Sequence, residues 1–212
     1  MMKTGKLIIF SGFSGTGKGT IMNELLTRYP DEFCLSVSAT TRSPREGEKE
    51  GVAYFFKNRD EFEKMISQDA FLEYAEYVGN YYGTPKEYVE QKLNSGKNVF
   101  LEIEMQGAMK VKEKLPQTVL VFILPPSVKT LVQRLRDRGT NSEDNIRQRM
   151  LQAKSEAENM DKYDYFVIND SLDKCIEDVR GIVDGNIPGD LPDKNFLDNI
   201  RTELEGLLKG DL

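Results

Sequence analysis

The sequence predicts an α/β fold with a parallel sheet covered by helices on both faces. Short, continuous runs of apolar residues recur along the chain, at residues 7–10, 99–103, 119–124 and 165–168. Stretches with apolar side chains at helical spacing lie between them, at residues 21–29, 128–138 and 172–183. Strands without polar alternation are typical of sheets buried on both faces, and their alternation with helices indicates parallel pairing.

A glycine-rich segment, GFSGTGKGT at residues 12–20, follows the first predicted strand and opens the first predicted helix. Its glycines let backbone N–H groups turn inward around anionic oxygens, and the helix directs its positive end to the same place. Lys18 adds a charge that can reach the β- and γ-phosphates of a nucleotide. We therefore expect a P-loop that binds a nucleoside triphosphate through Ser14, Gly15, Thr16, Gly17, Lys18, Gly19 and Thr20.

The position after Lys18 departs from the usual pattern of such loops. Gly19 stands where Ser or Thr usually follows the lysine, and the hydroxyl comes one residue later, at Thr20. A hydroxyl directly after the lysine is the usual protein ligand of Mg²⁺. The sequence therefore leaves the protein ligands of the metal open.

The region from about residue 36 to about residue 90 departs from the alternation of strands and helices. It is rich in Tyr, Phe, Gly and charged residues, and short alternating patterns occur at residues 52–56 and 71–78. Such alternation indicates half-buried antiparallel strands. We therefore expect an inserted subdomain of mixed β structure here.

A polar interruption at about residues 138–150 follows the helix predicted at 128–138. It contains a Gly-Thr pair near its start, and we interpret it as a mobile lid rather than as core. Arg134 and Arg138 are four residues apart and share one helix face, whereas Arg136 points away. Arg149 lies on the next predicted helix.

The segment GNIPGDLP at residues 185–192 is typical of a linker. It separates a domain at residues 1–184 from a C-terminal segment at residues 185–212. Six apolar residues of that segment fall on one helical face: Phe196, Leu197, Ile200, Leu204, Leu207 and Leu208. Two interpretations stay open, because such a face can pack on its own domain or contact a partner or a second copy.

The composition restricts the chemistry. The chain of 212 residues contains no histidine, which excludes a Ser-His-Asp triad, a His-ligated zinc site and an imidazole base. Phosphoryl transfer fits this restriction, because it depends on positioning and charge neutralisation more than on proton transfer. The formal net charge of -6 argues against nucleic acids and membrane surfaces as partners.

Cysteine usage and hydropathy indicate a cytoplasmic location. Cys34 and Cys175 allow one disulfide, but two thiols in a reducing compartment are favoured. The longest apolar run, at residues 119–124, is far shorter than the ~20 residues that span a bilayer.

Five motifs carry a resemblance to a known family. They are GFSGTGKGT, SVSATTRSPREGE at 36–48, FLEY at 71–74, GNYYGTP at 79–85 and LEIEMQG at 101–107. From about residue 6 to residue 183 the chain resembles guanylate kinase, a P-loop nucleoside monophosphate kinase. This resemblance implies transfer of the γ-phosphoryl group of ATP to GMP and dGMP, giving ADP and GDP in purine nucleotide metabolism. It also implies Mg²⁺ bound with ATP.

The resemblance implies roles for individual residues. The GMP phosphate would be held by Arg42, Arg45, Tyr54 and Tyr82. Guanine would be held by Ser38, Glu73 and Thr84, with Glu102 and Glu104 nearby. The catalytic residues would be Lys18, Arg42, Arg134, Arg138 and Arg149, and Asn169 would contact the adenine region of ATP.

The chemistry of guanine agrees with these roles. Its adjacent N1–H and N2–H₂ donors suit a carboxylate such as Glu73, and hydroxyl donors suit its O6 and N7 acceptors. Adenine would place an acceptor against that carboxylate, a mismatch that we expect to cost on the order of 10⁴-fold in discrimination.

Two positions depart from the family pattern. The family usually has Asp where this chain has Glu104, so the role of that carboxylate toward metal-bound water or the base stays open. Phe13 replaces a more usual proline, and we expect this position to contribute backbone rather than side chain.

The implied reaction needs no general base, because the attacking phosphate oxygen of GMP is already anionic. We expect the GMP subdomain and the lid to close when both substrates bind, so that water is excluded. Two alternatives remain, a P-loop kinase for another acceptor such as AMP and a non-catalytic scaffold domain of the guanylate kinase type. Glu73 argues against the first, and the retained lysine and arginines argue against the second. The oligomeric state stays open.

Overall fold

The structure is a computed structural model that describes residues 4–139 and 141–210. Thr140 of the predicted lid, and the two ends of the predicted domains at residues 1–3 and 211–212, lie outside the described residues. Two compact units are present. Unit 1 comprises the residues up to Ile9 together with Arg28–Thr118, and unit 2 comprises Phe10–Thr27 together with the residues from Val119 onward.

Strands and helices alternate along most of the chain. The strands are β1 (Leu7–Gly12), β2 (Phe33–Leu35), β3 (Ala39–Thr40), β4 (Phe55–Phe56), β5 (Phe71–Tyr77), β6 (Asn80–Pro85), β7 (Asn98–Leu101), β8 (Val119–Leu124) and β9 (Tyr165–Ile168). The helices are α1 (Lys18–Arg28), α2 (Arg59–Ser67), α3 (Lys86–Asn94), α4 (Met105–Lys114), α5 (Val128–Asp137), α6 (Glu143–Ala157), α7 (Leu172–Asp184) and α8 (Lys194–Lys209).

A five-stranded sheet has the order β2-β7-β1-β8-β9. The pairs β1–β7, β2–β7 and β8–β9 are parallel, with Leu7 opposite Val99 and Val121 opposite Tyr165. The runs of apolar residues become these strands because both faces are covered, and Leu120–Leu124 are buried without exception. The predicted α/β class with a parallel sheet is confirmed.

A second sheet of four strands lies in unit 1, in the order β4-β3-β6-β5. It is mixed, because β3 pairs with β4 in parallel and with β6 in antiparallel orientation. Phe62 of α2 covers it and stacks on Phe71 at a ring-centroid distance of 4.4 Å. The antiparallel pair β5–β6 carries both Glu73 and Thr84, so this sheet positions residues predicted to bind guanine.

The core of unit 2 is built on β8. The ring of Phe122 contacts Phe13 at a centroid distance of 5.2 Å and Tyr163 at 5.0 Å, in edge-to-face geometry. Helix α5 covers this strand region with a buried stripe that includes Leu131 and Leu135. None of the described helices is long and apolar enough to cross a membrane.

The region predicted as a lid contains more regular structure than its polarity indicates. Helix α5 ends at Asp137, and α6 begins at Glu143 behind Ser142, whose side chain caps the helix by accepting from Asn145 N. Ile146 and Met150 are buried. Residues 143–150 therefore form the first half of α6, in which two apolar side chains one turn apart are buried.

The C-terminal segment forms helix α8. Gly185 ends α7 in a left-handed conformation, and Asp193 begins α8 by accepting from Phe196 N at 2.9 Å. The buried side chains of α8 are Leu197, Ile200 and Leu204, and the helix contacts α6 and α5 within unit 2. The apolar face that the sequence predicts therefore packs on the chain itself.

Candidate active site

The glycine-rich loop of unit 2 connects β1 to α1, as its sequence predicts. Gly15 and Gly17 have φ angles of +100° and +88°, which L side chains rarely adopt. A Cβ atom at Gly17 would lie 2.4 Å from Nδ2 of Asn169. Glycine is therefore required at Gly17 both by the backbone conformation and by the close approach of Asn169.

Hydrogen bonds hold the loop in shape. The buried Thr16 donates from its hydroxyl to the carbonyl of Phe13 at 2.9 Å, and Asn169 Nδ2 donates to Thr16 O at 2.7 Å. Lys18 Nζ donates to the carbonyl of Gly12 and, at 3.1 Å, to that of Phe13. The ammonium group thus folds over the loop, where phosphate oxygens of a nucleotide could take the place of the carbonyls.

Phe13 corrects one expectation from the sequence. Its side chain is fully buried and packs edge-to-face on Phe122, with an interplanar angle of 76°. The expectation that this position contributes only backbone is wrong, because the ring anchors the loop in the core of unit 2. The residue that replaces the usual proline has become a core residue.

Two arginines of unit 2 reach the loop region. Arg134 Nη2 donates to the carbonyl of Asn169 at 2.8 Å, and Arg149 Nη1 donates to Ser14 Oγ. Nη1 of Arg134 is buried and has no hydrogen-bond partner among the residues that the structure describes. The predicted ATP-side residues Ser14, Arg134, Arg149 and Asn169 therefore lie together, and Asn169 links the arginine to the loop.

Arg136 and Arg138, the remaining two arginines of α5 and its C-terminal end, are both exposed. Arg136 points elsewhere and forms an ion pair with Glu143 at 2.8 Å. Arg138 follows the last residue of α5 as its C-cap, and its side chain is exposed.

A cavity of about 380 Å³ in unit 1 is a second candidate site. Six of the nine residues predicted to bind GMP line it: Ser38, Tyr54, Glu73, Tyr82, Glu102 and Glu104. Its other lining residues include Gln106, Gly107 and Lys110 of α4. The cavity is therefore rich in carboxylates, as a site for a base with several N–H donors would be.

A hydrogen bond from Thr84 fixes the carboxylate of Glu73. Its Oε1 accepts from the hydroxyl of Thr84 at 2.7 Å, and Thr84 itself is fully buried. Burial raises the pKa of Glu73, while the hydrogen bond from Thr84 and the charge of Lys110 act in the opposite direction. The hydroxyl proton that the sequence assigned to guanine is thus directed at the carboxylate.

The arginine loop of unit 1 is organised by an acidic residue. Arg42 Nη2 donates to both carboxylate oxygens of Glu48, at 2.8 and 3.0 Å, and Arg45 donates from its backbone N to the same carboxylate at 2.8 Å. The guanidinium of Arg42 lies 5.4 Å from the ring centroid of Tyr54, and that ring is 6.0 Å from Tyr82. The Arg42 guanidinium holds the pKa of Glu48 below its ordinary value.

Sequence reasoning missed four residues of this site. Glu48 stands in the quoted motif without a role, and Gln106, Gly107 and Lys110 belong to the last motif or follow it directly. The last three share one face at the start of α4, at helical spacing. A Cβ atom at Gly107 would lie 3.4 Å from Oε2 of Glu73. The i, i+1, i+4 spacing of Gln106, Gly107 and Lys110 is the sequence pattern from which these three residues could have been predicted.

Comparison with known proteins gives the decisive observation. The family model described as guanylate kinase matches residues 4–186. The chain belongs to the guanylate kinase family. Guanylate kinase of Bacillus subtilis is 51% identical over 183 residues, which are 86% of this chain and 90% of that protein. Guanylate kinase of Listeria innocua is 45% identical over 207 residues, which are 98% of this chain and 100% of that protein.

A solved structure agrees with this assignment. The guanylate kinase of Anaplasma phagocytophilum superimposes with a TM-score of 0.63 at 31% sequence identity, and 87% of each chain is covered. Guanylate kinases phosphorylate GMP with ATP, and as a family member this chain is an ATP:GMP phosphotransferase. The family model ends before α8, whereas the match to the Listeria protein covers nearly the whole chain.

Proposed function

We propose that the cavity of unit 1 binds GMP or dGMP and that the glycine loop of unit 2 binds ATP. The observation that carries the first assignment is Glu73, a half-buried carboxylate fixed by Thr84 in a cavity of nucleotide size. Transfer of the γ-phosphoryl group between the two nucleotides then gives ADP and GDP. The location that we propose for the enzyme is the cytoplasm, because Cys34 and Cys175 are free thiols and ATP and GMP are its substrates.

Guanine recognition rests on the desolvated carboxylate of Glu73. N1–H and N2–H₂ of guanine can both donate to it, and these bonds favour the ionised form that burial disfavours. Thr84 acts by orienting the carboxylate, and Ser38 offers a hydroxyl to the same cavity. Adenine lacks the N1 donor, so the carboxylate would keep only the hydrogen bond from Thr84 and would gain no donor from N1 of the base to offset its desolvation.

The phosphate of GMP would bind to the arginine loop. Arg42 and Arg45 supply guanidinium groups, and the hydroxyls of Tyr54 and Tyr82 supply further donors. Glu48 orders this loop, because its carboxylate bonds both to the Arg42 side chain and to the Arg45 backbone.

The ATP side works by neutralising charge. Lys18, the loop amides and the arginines Arg134, Arg138 and Arg149 would surround the β- and γ-phosphates, where negative charge spreads over the equatorial oxygens during transfer. The attacking oxygen of GMP is anionic, so no side chain has to remove a proton. This agrees with a chain that contains no histidine.

The residues present fit a magnesium ion that arrives with ATP. Among the described residues, no group of three or more Asp, Glu, Cys or His side chains could hold a metal by itself. Mg²⁺ bound to a nucleotide needs few protein ligands, because phosphate oxygens and waters complete its shell. Thr20, the first hydroxyl after Lys18, would help to hold the ion, which would neutralise phosphate charge.

The experiment that tests this proposal is an acceptor panel. Release of ADP from Mg-ATP is measured with GMP, dGMP, AMP and UMP, with water alone as the control for ATP hydrolysis. We expect turnover with GMP and dGMP and a kcat/KM for AMP lower by on the order of 10⁴-fold. Comparable rates with AMP would contradict the role of Glu73.

The predicted closure of the GMP subdomain and the lid stays a prediction. Spectroscopic distances between labels on the two regions should shorten when GMP and a non-hydrolysable ATP analogue are added together, because transfer has to exclude water.

A further inference from the structure

Helix α8 lies outside the family model, which ends at residue 186, and yet it is built into unit 2. Its buried residues Leu197, Ile200 and Leu204 pack against the two helices α5 and α6. These are the helices that carry Arg134 and Arg149. Burial of the apolar face would by itself explain why α8 packs there. Two polar contacts of α8, in addition, join it to particular ends of α5 and α6.

The first polar contact is at the start of α5. Oε2 of Glu203 accepts from the backbone N of Val128, the first residue of α5, at 2.7 Å. The N-cap residue Ser127 accepts from Thr130 N, so it satisfies a different N–H group of the same turn. Glu203 thus completes the cap of α5 with a negative charge at the positive end of the helix.

The second polar contact is at the end of α6. Arg201 Nε donates to the carbonyl of Ala157, the last residue of α6, at 3.1 Å. The same guanidinium forms an ion pair with Asp161 at 2.8 Å. The positive charge of Arg201 therefore lies at the negative, C-terminal end of α6. Helix α8 thus contacts the C-terminal end of α6 and the N-terminal end of α5.

Both braced helices reach the phosphate loop through their arginines. Arg134 of α5 donates to Asn169 O, and Asn169 in turn donates to Thr16 O in the loop. Arg149 of α6 donates to Ser14 Oγ. A rotation or shift of either helix would move a guanidinium group relative to the phosphates, and small displacements of this kind reduce catalysis strongly.

We propose that α8 is a brace that positions Arg134 and Arg149 for ATP, and that Glu203 is its principal positioning residue. The proposal rests on the ATP-binding roles proposed above for the two arginines. Glu203 acts through α5 and does not touch ATP. Loss of its contact should therefore weaken the use of ATP while the binding of GMP in unit 1 is unchanged.

The test compares Glu203→Ala, Glu203→Gln and Glu205→Ala in the full-length protein. Glu205 is the matched control, because it lies on the same helix, is exposed and pairs only loosely with Lys209 at 3.7 Å. KM for ATP, KM for GMP and kcat are measured well below the unfolding temperature, and thermal unfolding is recorded for each variant.

We expect Glu203→Ala to raise KM for ATP by about 5-fold or more, the scale on which a helix cap acts, and to leave KM for GMP unchanged. Glu203→Gln should recover most of the loss, because its amide oxygen can still accept from Val128 N. Glu205→Ala should match the wild type in all three constants.

A lower unfolding temperature with both KM values unchanged would overturn the proposal and leave α8 a purely structural element. Equal increases in both KM values would overturn it as well. Arg134→Ala distinguishes a failure of the proposed ATP-binding role from a failure of the proposed brace. If this variant leaves KM for ATP unchanged, the proposed function of the arginine fails; if it raises KM for ATP while Glu203→Ala does not, only the brace fails.

Discussion

The glycine loop of unit 2 and the arginine loop of unit 1 hold their cationic groups in different ways. Arg134 and Arg149 donate to neutral oxygens, the carbonyl of Asn169 and the hydroxyl of Ser14. Arg42 donates to the carboxylate of Glu48. A phosphate that binds as proposed would compete with neutral acceptors at the glycine loop and with an anion at the arginine loop.

The two loops also differ in how they are anchored. Phe13 fixes the glycine loop in the core, whereas Ser43 to Gly47 are exposed and the carboxylate of Glu48 accepts from the Arg42 side chain and the Arg45 backbone. The difference teaches that the glycine loop is ordered by packing and by backbone hydrogen bonds, whereas the arginine loop is ordered by an ion pair. Four substitutions test this contrast.

The largest effect should follow from Phe13→Ala. Removal of a fully buried ring leaves a cavity next to Phe122, and we expect the free energy of unfolding to fall by about 3–5 kcal/mol. Urea unfolding followed by circular dichroism measures it. Phe62→Ala, which removes an equally buried ring from unit 1, is the matched control.

Both phenylalanine variants should lose stability, but only Phe13→Ala should raise KM for ATP. An unchanged KM for ATP in a folded Phe13→Ala protein would show that the core does not anchor the loop.

Lys18→Ala should come next, with a fall in kcat of at least about 10²-fold, the scale for the loss of one donor to transition-state charge. Steady-state kinetics at saturating GMP and ATP measure it. Lys64→Ala removes an exposed lysine of α2 and should retain wild-type kcat. A kcat for Lys18→Ala within a factor of about ten of the wild type would contradict the assignment of the loop.

Glu73→Gln should raise KM for GMP by about 10- to 100-fold, because the amide cannot accept two donors with a full negative charge. KM for ATP should stay unchanged. Equal losses for both substrates would argue against base recognition by this residue.

The pH dependence of this effect follows from burial. Because burial raises the pKa of Glu73, its carboxylate takes up a proton at a higher pH than an exposed Glu does, and GMP binding weakens as pH falls through that pKa. The ratio of KM for GMP between Glu73→Gln and the wild type should therefore shrink toward one on acidification. Titration of the GMP phosphate cancels in this ratio. A ratio that does not change with pH would contradict the role of the charge.

Glu48→Gln should have the smallest effect. Release of Arg42 from a competing anion favours phosphate binding, but this ion pair is partly exposed and its gain is small, and the loss of loop order costs more. We expect KM for GMP to rise about threefold with KM for ATP unchanged. The exposed Glu46→Gln in the same loop is the control. A lower KM for GMP would show that competition outweighs order.

Local patterns account for what could be predicted. The buried strands and the glycine loop are encoded within a few residues, and the predicted bounds of β8 and β9 agree with the structure. The strand predicted at 99–103 ends earlier, at Leu101, because the chain turns to begin α4 behind Glu104. The helical spacing of Arg134, Arg136 and Arg138 likewise predicted which of them pairs elsewhere.

Contacts between distant segments account for what could not be predicted. Phe13 meets Phe122, which belongs to another strand, so no pattern around Phe13 reveals its burial. The apolar face of α8 was visible in the sequence, but the contact from Glu203 to Val128 depends on how the helix is seated. The ion pair of Glu48 depends likewise on the conformation of its own loop.

The space beside Gly19 is open to a side chain. A Cβ atom there would meet nothing within 4 Å, so the small residue is not demanded by crowding. One substitution to serine would give the loop the commoner hydroxyl and would also suit a helix better than glycine does. A serine at position 19 would therefore place a hydroxyl directly after Lys18, where P-loops usually bind Mg²⁺, without a steric conflict.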